Sequence, residues 1–379
     1  MKKLFLPVII LGICLGACST REAATNPLEA ALASTHPNIK RVMDSIEKHE
    51  IQIRYTHITR SKDSVVLKDY DFQINKDNYF YPASTVKFPV AVLALEKLNG
   101  MDSLDRNTLF YVEGDSVETT FGREISKILA VSDNSAYNRL FEFLGQDYIN
   151  VQLAEKGIAY MRISHRLSTS DADDVTTKPL IVYVNDSTTT ILENTINTPP
   201  KALSLNKITK GIGFYDGDSL IRQPFNFSLK NYYPIDAQHN VLKRIVFPEQ
   251  FSKEEQFDLS DEQREFLLTA MHTLPKKVGY DPEEYYDSYV KFIIYGDNHD
   301  NIPEHIKIYN KVGYAYGTLT DCAYIVDSKN DIEFIITATI LVNEDGIFND
   351  DAYEYDDIGI PFLAELGREI YTYELNKKK

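Results

Sequence analysis

Apolar positions along the chain switch between helical spacing and two-residue alternation in blocks, and the order of the blocks predicts an architecture. Ile39, Val42, Met43 and Ile46 recur at helical spacing after Pro37, predicting a helix that ends near His49. Residues 51–58 alternate, and 65–74 follow a polar Arg60-Ser61-Lys62-Asp63 turn, which reads as an antiparallel hairpin. From 85 to 98 the chain is dense in Val, Ala and Leu and stops at Asn99-Gly100, predicting a buried helix opened by Ser84. The following stretch is mostly helical to about Leu144, where Gly145 supplies a stop. Residues 185–275 are less regular, with a helical patch over 261–274. Two β-rich runs, 306–326 and 332–342, flank a polar break at 327–331, and a helix over 362–375 closes the chain. The order predicts an α/β (α+β) domain: an antiparallel sheet drawn from both ends of the chain, flanked by helices, plus an all-helical part.

The N-terminus departs from this pattern. MKKLFLPVIILGICLGACST has a basic start, an apolar run and small residues before a cysteine, so it reads as a secretory leader too short for an ordinary spanning helix. Leu15-Gly16-Ala17-Cys18 resembles the bacterial lipobox, which implies a leader over 1–17 and a lipidated Cys18. Residues 18–35 then read as a tether and 36–379 as the folded domain. That places the domain in the bacterial cell envelope, anchored through the Cys18 lipid. Ser19, with no acidic run after Cys18, points to the periplasmic side. Cys14 leaves with the leader, so Cys322 is the remaining thiol, and its apolar-alternating surroundings read as burial rather than reactivity.

Composition narrows the function classes. The chain is 43% hydrophobic and 25% charged, with 25 Tyr and 19 Phe, a globular balance. A net charge of −16 with no Lys/Arg-rich block argues against a nucleic-acid partner. The eight histidines form no H-E-x-x-H, and Lys210-Gly211-Ile212-Gly213 lacks the rest of a nucleotide fingerprint, so no metal and no cofactor are expected.

Candidate chemistry starts from Ser-x-x-Lys, which occurs at Ser45–Lys48, Ser84–Lys87 and Ser204–Lys207. Only Ser84 opens a buried helix, where unpaired amides favour negative charge and Lys87 lies one turn on, on the same face. A desolvated Lys87 could accept the serine proton; the alternative is a plain helix cap with a surface lysine. Ser132-Asp133-Asn134 lies on an interhelical turn, where Ser132 could relay a proton and Asn134 could meet a substrate carbonyl, although the same letters also start ordinary helices. Lys-Val-Gly occurs twice, at Lys277 and Lys311. The second copy sits in a strand, where Gly313 shares a face with Lys311 and lets a substrate approach the backbone.

Ser84-x-x-Lys87, Ser132-Asp133-Asn134 and Lys311-Val312-Gly313, in that order, resemble the three-element signature of class A β-lactamases and penicillin-binding proteins. More narrowly, the chain resembles the β-lactamase-like serine hydrolase lipoproteins of Bacteroidetes-type bacteria. The resemblance implies a β-lactamase/transpeptidase-like fold, with Ser84 as acylated nucleophile, Lys87 as base, Ser132 as relay, Asn134 and Gly313 at the substrate, and Lys311 attracting a substrate carboxylate. The amides of Ser84 and Tyr314 would form the oxyanion hole. It also implies a small-molecule or peptidoglycan-like acyl substrate and a monomer.

Two departures stand out. Val312 replaces the usual threonine, so the hydroxyl that meets a substrate carboxylate is missing. Where the family places its deacylating glutamate, the chain reads Arg162-Ile163-Ser164-His165-Arg166-Leu167-Ser168, which leaves His165 as the candidate base, against the commoner structural role for a lone histidine. Lys311 lies 179 residues beyond Ser132, a long spacing that predicts an insertion near 185–275. Three readings stay open: a serine hydrolase on an ester, amide or peptidoglycan-like substrate, an active β-lactamase, or a catalytically weak binding or sensor lipoprotein. Gly217-Asp218-Ser219-Leu220 with Asp236 and His239 spells an esterase-like pairing, but the two words lie too close together for that fold.

Overall fold

The computed structural model describes residues 26–378 apart from Asp63 and Asp186. The expected leader, Cys18 and the start of the tether lie outside the described residues. Packed structure begins earlier than position 36, at α1 (Pro27–Leu32), whose first amides are capped by the Asn26 side chain. Leu28, Ala31 and Leu32 make one apolar stripe, and that stripe is buried, so this part of the expected tether is a docked helix. The next helix, α2 (Pro37–Met43), ends at Met43 and is followed by a separate 3-10 turn, Ile46–Lys48.

Five antiparallel strands form the central sheet: β1 (Gln52–Arg60), β2 (Val65–Phe72), β3 (Ile306–Ala315), β4 (Thr318–Asp327) and β5 (Ile332–Leu341), in the order β3-β4-β5-β1-β2. The run 306–326 is thus a hairpin in itself. Tyr316 (φ +52) and Gly317 (φ +70) both take the left-handed region that a tight two-residue turn requires. The helical part comprises α3 (Lys87–Asn99), α4 (Phe121–Val131), α5 (Asn134–Leu144) and α6 (Gln146–Glu155), followed by α7 (Ile235–Val246), α8 (Asp261–His272) and the closing α9 (Ile360–Lys377).

Both faces of the sheet are covered, and alternate residues of one strand serve different cores. On β4, Cys322 and Tyr324 join α3, α4, α5 and α7, whereas Ala323 and Ile325 join α1, α2 and α9. Residues 185–275 divide in two. Short strands at Thr209–Lys210, Gly213–Asp216, Ser219–Ile221 and Phe225–Asn226 make small side sheets, while α7 packs on β1, β4 and β5 and α8 packs on α4 and β3. Gly217 is the turn between two of those short strands, and His239 is buried between Thr56 and Thr337, so the esterase-like pairing is not assembled.

Candidate active site

Ser84 lies in the 3-10 turn Ala83–Val86 that leads into α3. Ala83 holds φ +47, a conformation that costs a non-glycine residue about 1–3 kcal/mol and gives the chain a sharp bend just before the serine. Ser84 is partly exposed and lines a cleft of about 650 Å³. Lys87, at the start of a helix buried at nearly every position, has no exposed surface. Burial pushes its pKa down to about 7, with the charge of Asp133 opposing the fall. The Lys87 amine donates to the Ser132 carbonyl and to Asn134 Oδ1 (2.6 Å), and it lies 3.3 Å from Ser132 Oγ.

The second element is the break between α4 and α5. Ser132 ends α4 in the left-handed region (φ +60), and Asp133 opens α5 by accepting the Ala136 N–H at 2.7 Å. This sharp reversal brings both Ser132 oxygens and the Asn134 amide to the Lys87 amine. The cap explains Asp133; the αL residue explains why the turn is so tight.

The third element comes from β3. Lys311 is buried, and its amine donates to Ser132 Oγ (2.8 Å) and to the Val312 carbonyl (2.7 Å). Loss of water, reinforced by the nearby Lys87, holds its pKa well below the ordinary lysine value. Ser132 Oγ therefore sits between two amines, each with a weakened hold on its proton. A Cβ on Gly313 would fall 2.7 Å from Pro82 O, 2.8 Å from Ser84 N and 2.9 Å from Thr85 N, so only glycine lets β3 run this close to the Ser84 turn. Tyr314 follows, 54% exposed, and lines the cleft. The rival Lys277 sits in the 3-10 turn Pro275–Val278 and not on β3.

Behind β3 lies a polar network that the motifs did not foretell. Lys291 donates to Asn310 Oδ1 (2.6 Å), and Asn310 Nδ2 donates to Asp321 Oδ1 (2.8 Å). The other Asp321 oxygen accepts the N–H groups of Phe292 and Ile293. Burial raises the Asp321 carboxyl and lowers the Lys291 amine. Asn310 alternates with Lys311 along β3, so the network braces the opposite face of the same strand.

The segment around His165 differs in kind. His165 is 4% exposed; Nδ1 contacts the Arg166 carbonyl at 2.7 Å and Nε2 accepts the Asn231 N–H at 3.1 Å. Burial pushes its pKa down to about 4, and its ring stacks parallel to Tyr81. With both nitrogens engaged by main chain, the ring has no free atom for a water, and the geometry runs against the expected role as deacylating base. Arg166 makes a two-pronged pair with Glu142 (2.5 and 2.8 Å) and donates to the carbonyls of Asp174 and Thr176, tying the loop to α5. Ser168, rather than a carboxylate, meets Asn134 Nδ2 at 2.9 Å.

Tyr81, Tyr316, Tyr353 and Tyr355 also line the cleft. None of them belongs to the three motifs; Tyr81 and Tyr316 stand within a few residues of Ser84 and Tyr314, and the high tyrosine count is the signal the sequence carries. Cys322 is buried, contacts Thr337 Oγ1 and the Gln238 carbonyl, and has its pKa pushed up to about 12 by loss of water, as an inert core thiol requires.

Residues 36–195 match the model of the beta-lactamase enzyme family. Among solved structures, a β-lactamase from Xanthomonas campestris pv. campestris is 16% identical, with 91% of this chain and 99% of that one covered and a TM-score of 0.50. Over residues 36–195 the chain is similar to the beta-lactamase enzyme family, and its fold is β-lactamase-like. A β-lactamase from Sphaerobacter thermophilus (12% identity, 92% and 96% coverage, TM-score 0.49) and one from Desulfarculus baarsii (13%, 90% and 96%, 0.49) are also similar. At these identities the structural likeness speaks to the β-lactamase-like fold alone. No curated protein matches the sequence.

Proposed function

We propose that this chain is an exported, lipid-anchored serine hydrolase that forms an acyl-enzyme on Ser84. The observation that carries the reading is Ser132 Oγ held between the Lys87 and Lys311 amines, beside the cleft that Ser84 lines. In this reading Ser84 Oγ attacks the acyl carbon while its proton passes to neutral Lys87, and a new C–O ester bond forms. The amides of Ser84 and Tyr314 hold the oxyanion. Collapse breaks the bond to the leaving group, which takes the proton back from Lys87 through Ser132. Lys311 orients Ser132, and Asn134 and Gly313 border the substrate.

Release of the acyl group is the weaker half. His165 is tied to main chain, and among the described residues no carboxylate hydrogen-bonds Asn134. The acyl-enzyme should therefore accumulate, which separates this reading from an efficient β-lactamase. A lipid on Cys18 would hold the domain, as a monomer, in the envelope facing the periplasm, where peptidoglycan-like acyl compounds are at hand. Incubating the full chain and Ser84→Ala with a fluorescent penicillin and a chromogenic cephalosporin tests the reading. Stable Ser84-dependent labelling with little turnover is expected. Rapid turnover would make it a β-lactamase, and full activity in Ser84→Ala on any substrate would overturn the assignment.

A further inference from the structure

The lining of the cleft favours one kind of acyl donor. Five tyrosines, Tyr81, Tyr314, Tyr316, Tyr353 and Tyr355, border the space in front of Ser84. Their rings brace one another: Tyr316 stands edge-on to Tyr81 at 4.9 Å, Tyr355 edge-on to Tyr314 at 5.5 Å, and Tyr353 lies 5.3 Å from Tyr355. Two hydroxyls are also fixed, since Tyr355 Oη accepts the Gly317 N–H (2.8 Å) and Tyr353 Oη the Asn349 N–H (2.9 Å). Such a wall offers large, rigid, amphipathic area to a planar or ring-shaped group at small entropic cost.

A carboxylate beside the scissile bond finds no comparable reception. The Lys311 amine is buried and already donates to Ser132 Oγ and the Val312 carbonyl. The Val312 side chain is 1% exposed and packs into the core on the opposite face of β3, so that position turns away from the cleft. Of the other cationic side chains lining the cleft, Arg166 is paired with Glu142; Lys230 makes no ion pair among the described residues, but it stands by His165 and not by Lys311. Acidic groups stand nearer the tyrosines: Asp351 lines the cleft, and Asp173 lies close enough to act on Tyr81 and Tyr316.

We propose that the cleft selects an uncharged acyl compound whose ring or planar group rests on the Tyr314–Tyr355–Tyr353 wall, and that it disfavours a carboxylate next to the scissile bond. The inference rests on acylation at Ser84. Leaving a carboxylate unpaired against this wall carries a desolvation cost that a neutral group of the same shape avoids.

The test measures labelling of Ser84 by a fluorophosphonate probe on the full chain, in competition with benzylpenicillin or its methyl ester. The two share every atom at the scissile bond and differ in the carboxyl. The ester should protect Ser84 at a concentration ~10-fold or more below that of the acid, a difference of ~1.4 kcal/mol. Tyr353→Ala should weaken protection by the ester several-fold and by the acid little, a split that a general loss of folding would not produce. Equal or better protection by the acid, or no protection by the ester, with Ser84 still labelled, would overturn the inference alone. Failure of the probe to label Ser84 in the wild type would instead overturn the acylation on which it rests.

Discussion

Lys87 and His165 are both buried titratable groups beside one cleft, and loss of water lowers the pKa of each. Their partners differ. Lys87 reaches the side chains of Ser132 and Asn134, and Asn134 faces the cleft. His165 is held by the Arg166 carbonyl and the Asn231 N–H, and its neighbour Arg166 is spent on Glu142 and on loop carbonyls. On the first side, buried polar groups are left connected to the space a substrate would enter. On the second, polar groups of similar burial fasten a loop. A lowered pKa alone does not distinguish the two uses; the identity of the hydrogen-bond partners does.

The largest effect should come from Lys87→Met, which keeps the packing of α3 and removes the base. Labelling of Ser84 should fall by ~10²–10⁴-fold, the usual contribution of a general base, with circular dichroism unchanged. A loss of less than ~10-fold would mean that the amine is structural, like His165. Next comes Gly313→Val, whose new side chain meets the backbone of Pro82, Ser84 and Thr85. It should destabilise the fold by ~1–3 kcal/mol and slow labelling by ~10-fold or more, read by thermal melts and probe kinetics.

The pH profile gives a finer test. Lys87 must be neutral to take a proton, and burial puts its pKa near 7. Labelling should therefore rise with pH through that region and level off above it. Asp133 favours the charged amine, so Asp133→Asn should move the rise to lower pH while the asparagine still caps α5. A shift to higher pH would contradict the assignment. The smallest effect on chemistry should be His165→Asn. Stability, read by thermal melts, should drop by ~1–3 kcal/mol as main-chain groups lose a partner. Release of the acyl group per folded molecule should change by less than about twofold. A collapse of turnover would make the histidine a deacylating base after all.

Much of this arrangement was legible in the residues. Ser84 separated from Ser45 and Ser204 because an apolar run follows it, and that run is α3. The interhelical turn at Ser132-Asp133-Asn134 could be expected from a short polar break between two helical patterns; that Ser132 takes the αL conformation could not. Elsewhere the signal was thinner. Tyr316-Gly317 turns a hairpin without the Asn-Gly letters that usually mark one, so two strands read as a single run. The segment 27–32 is too short for the stripe of Leu28, Ala31 and Leu32 to stand out against a polar stretch. The aromatic wall is assembled from 81, 314–316 and 353–355, and the Lys291–Asn310–Asp321 brace from three separate segments. Neither has a local pattern, since both arise only when distant parts of the chain are packed together.

The central claim is a covalent bond to Ser84, and intact-mass measurement of the full chain after reaction with a fluorophosphonate reads it directly. The account predicts a single adduct that maps to the peptide containing Ser84 and is absent from Ser84→Ala. An adduct that persists in Ser84→Ala, or that maps to another serine, would contradict it.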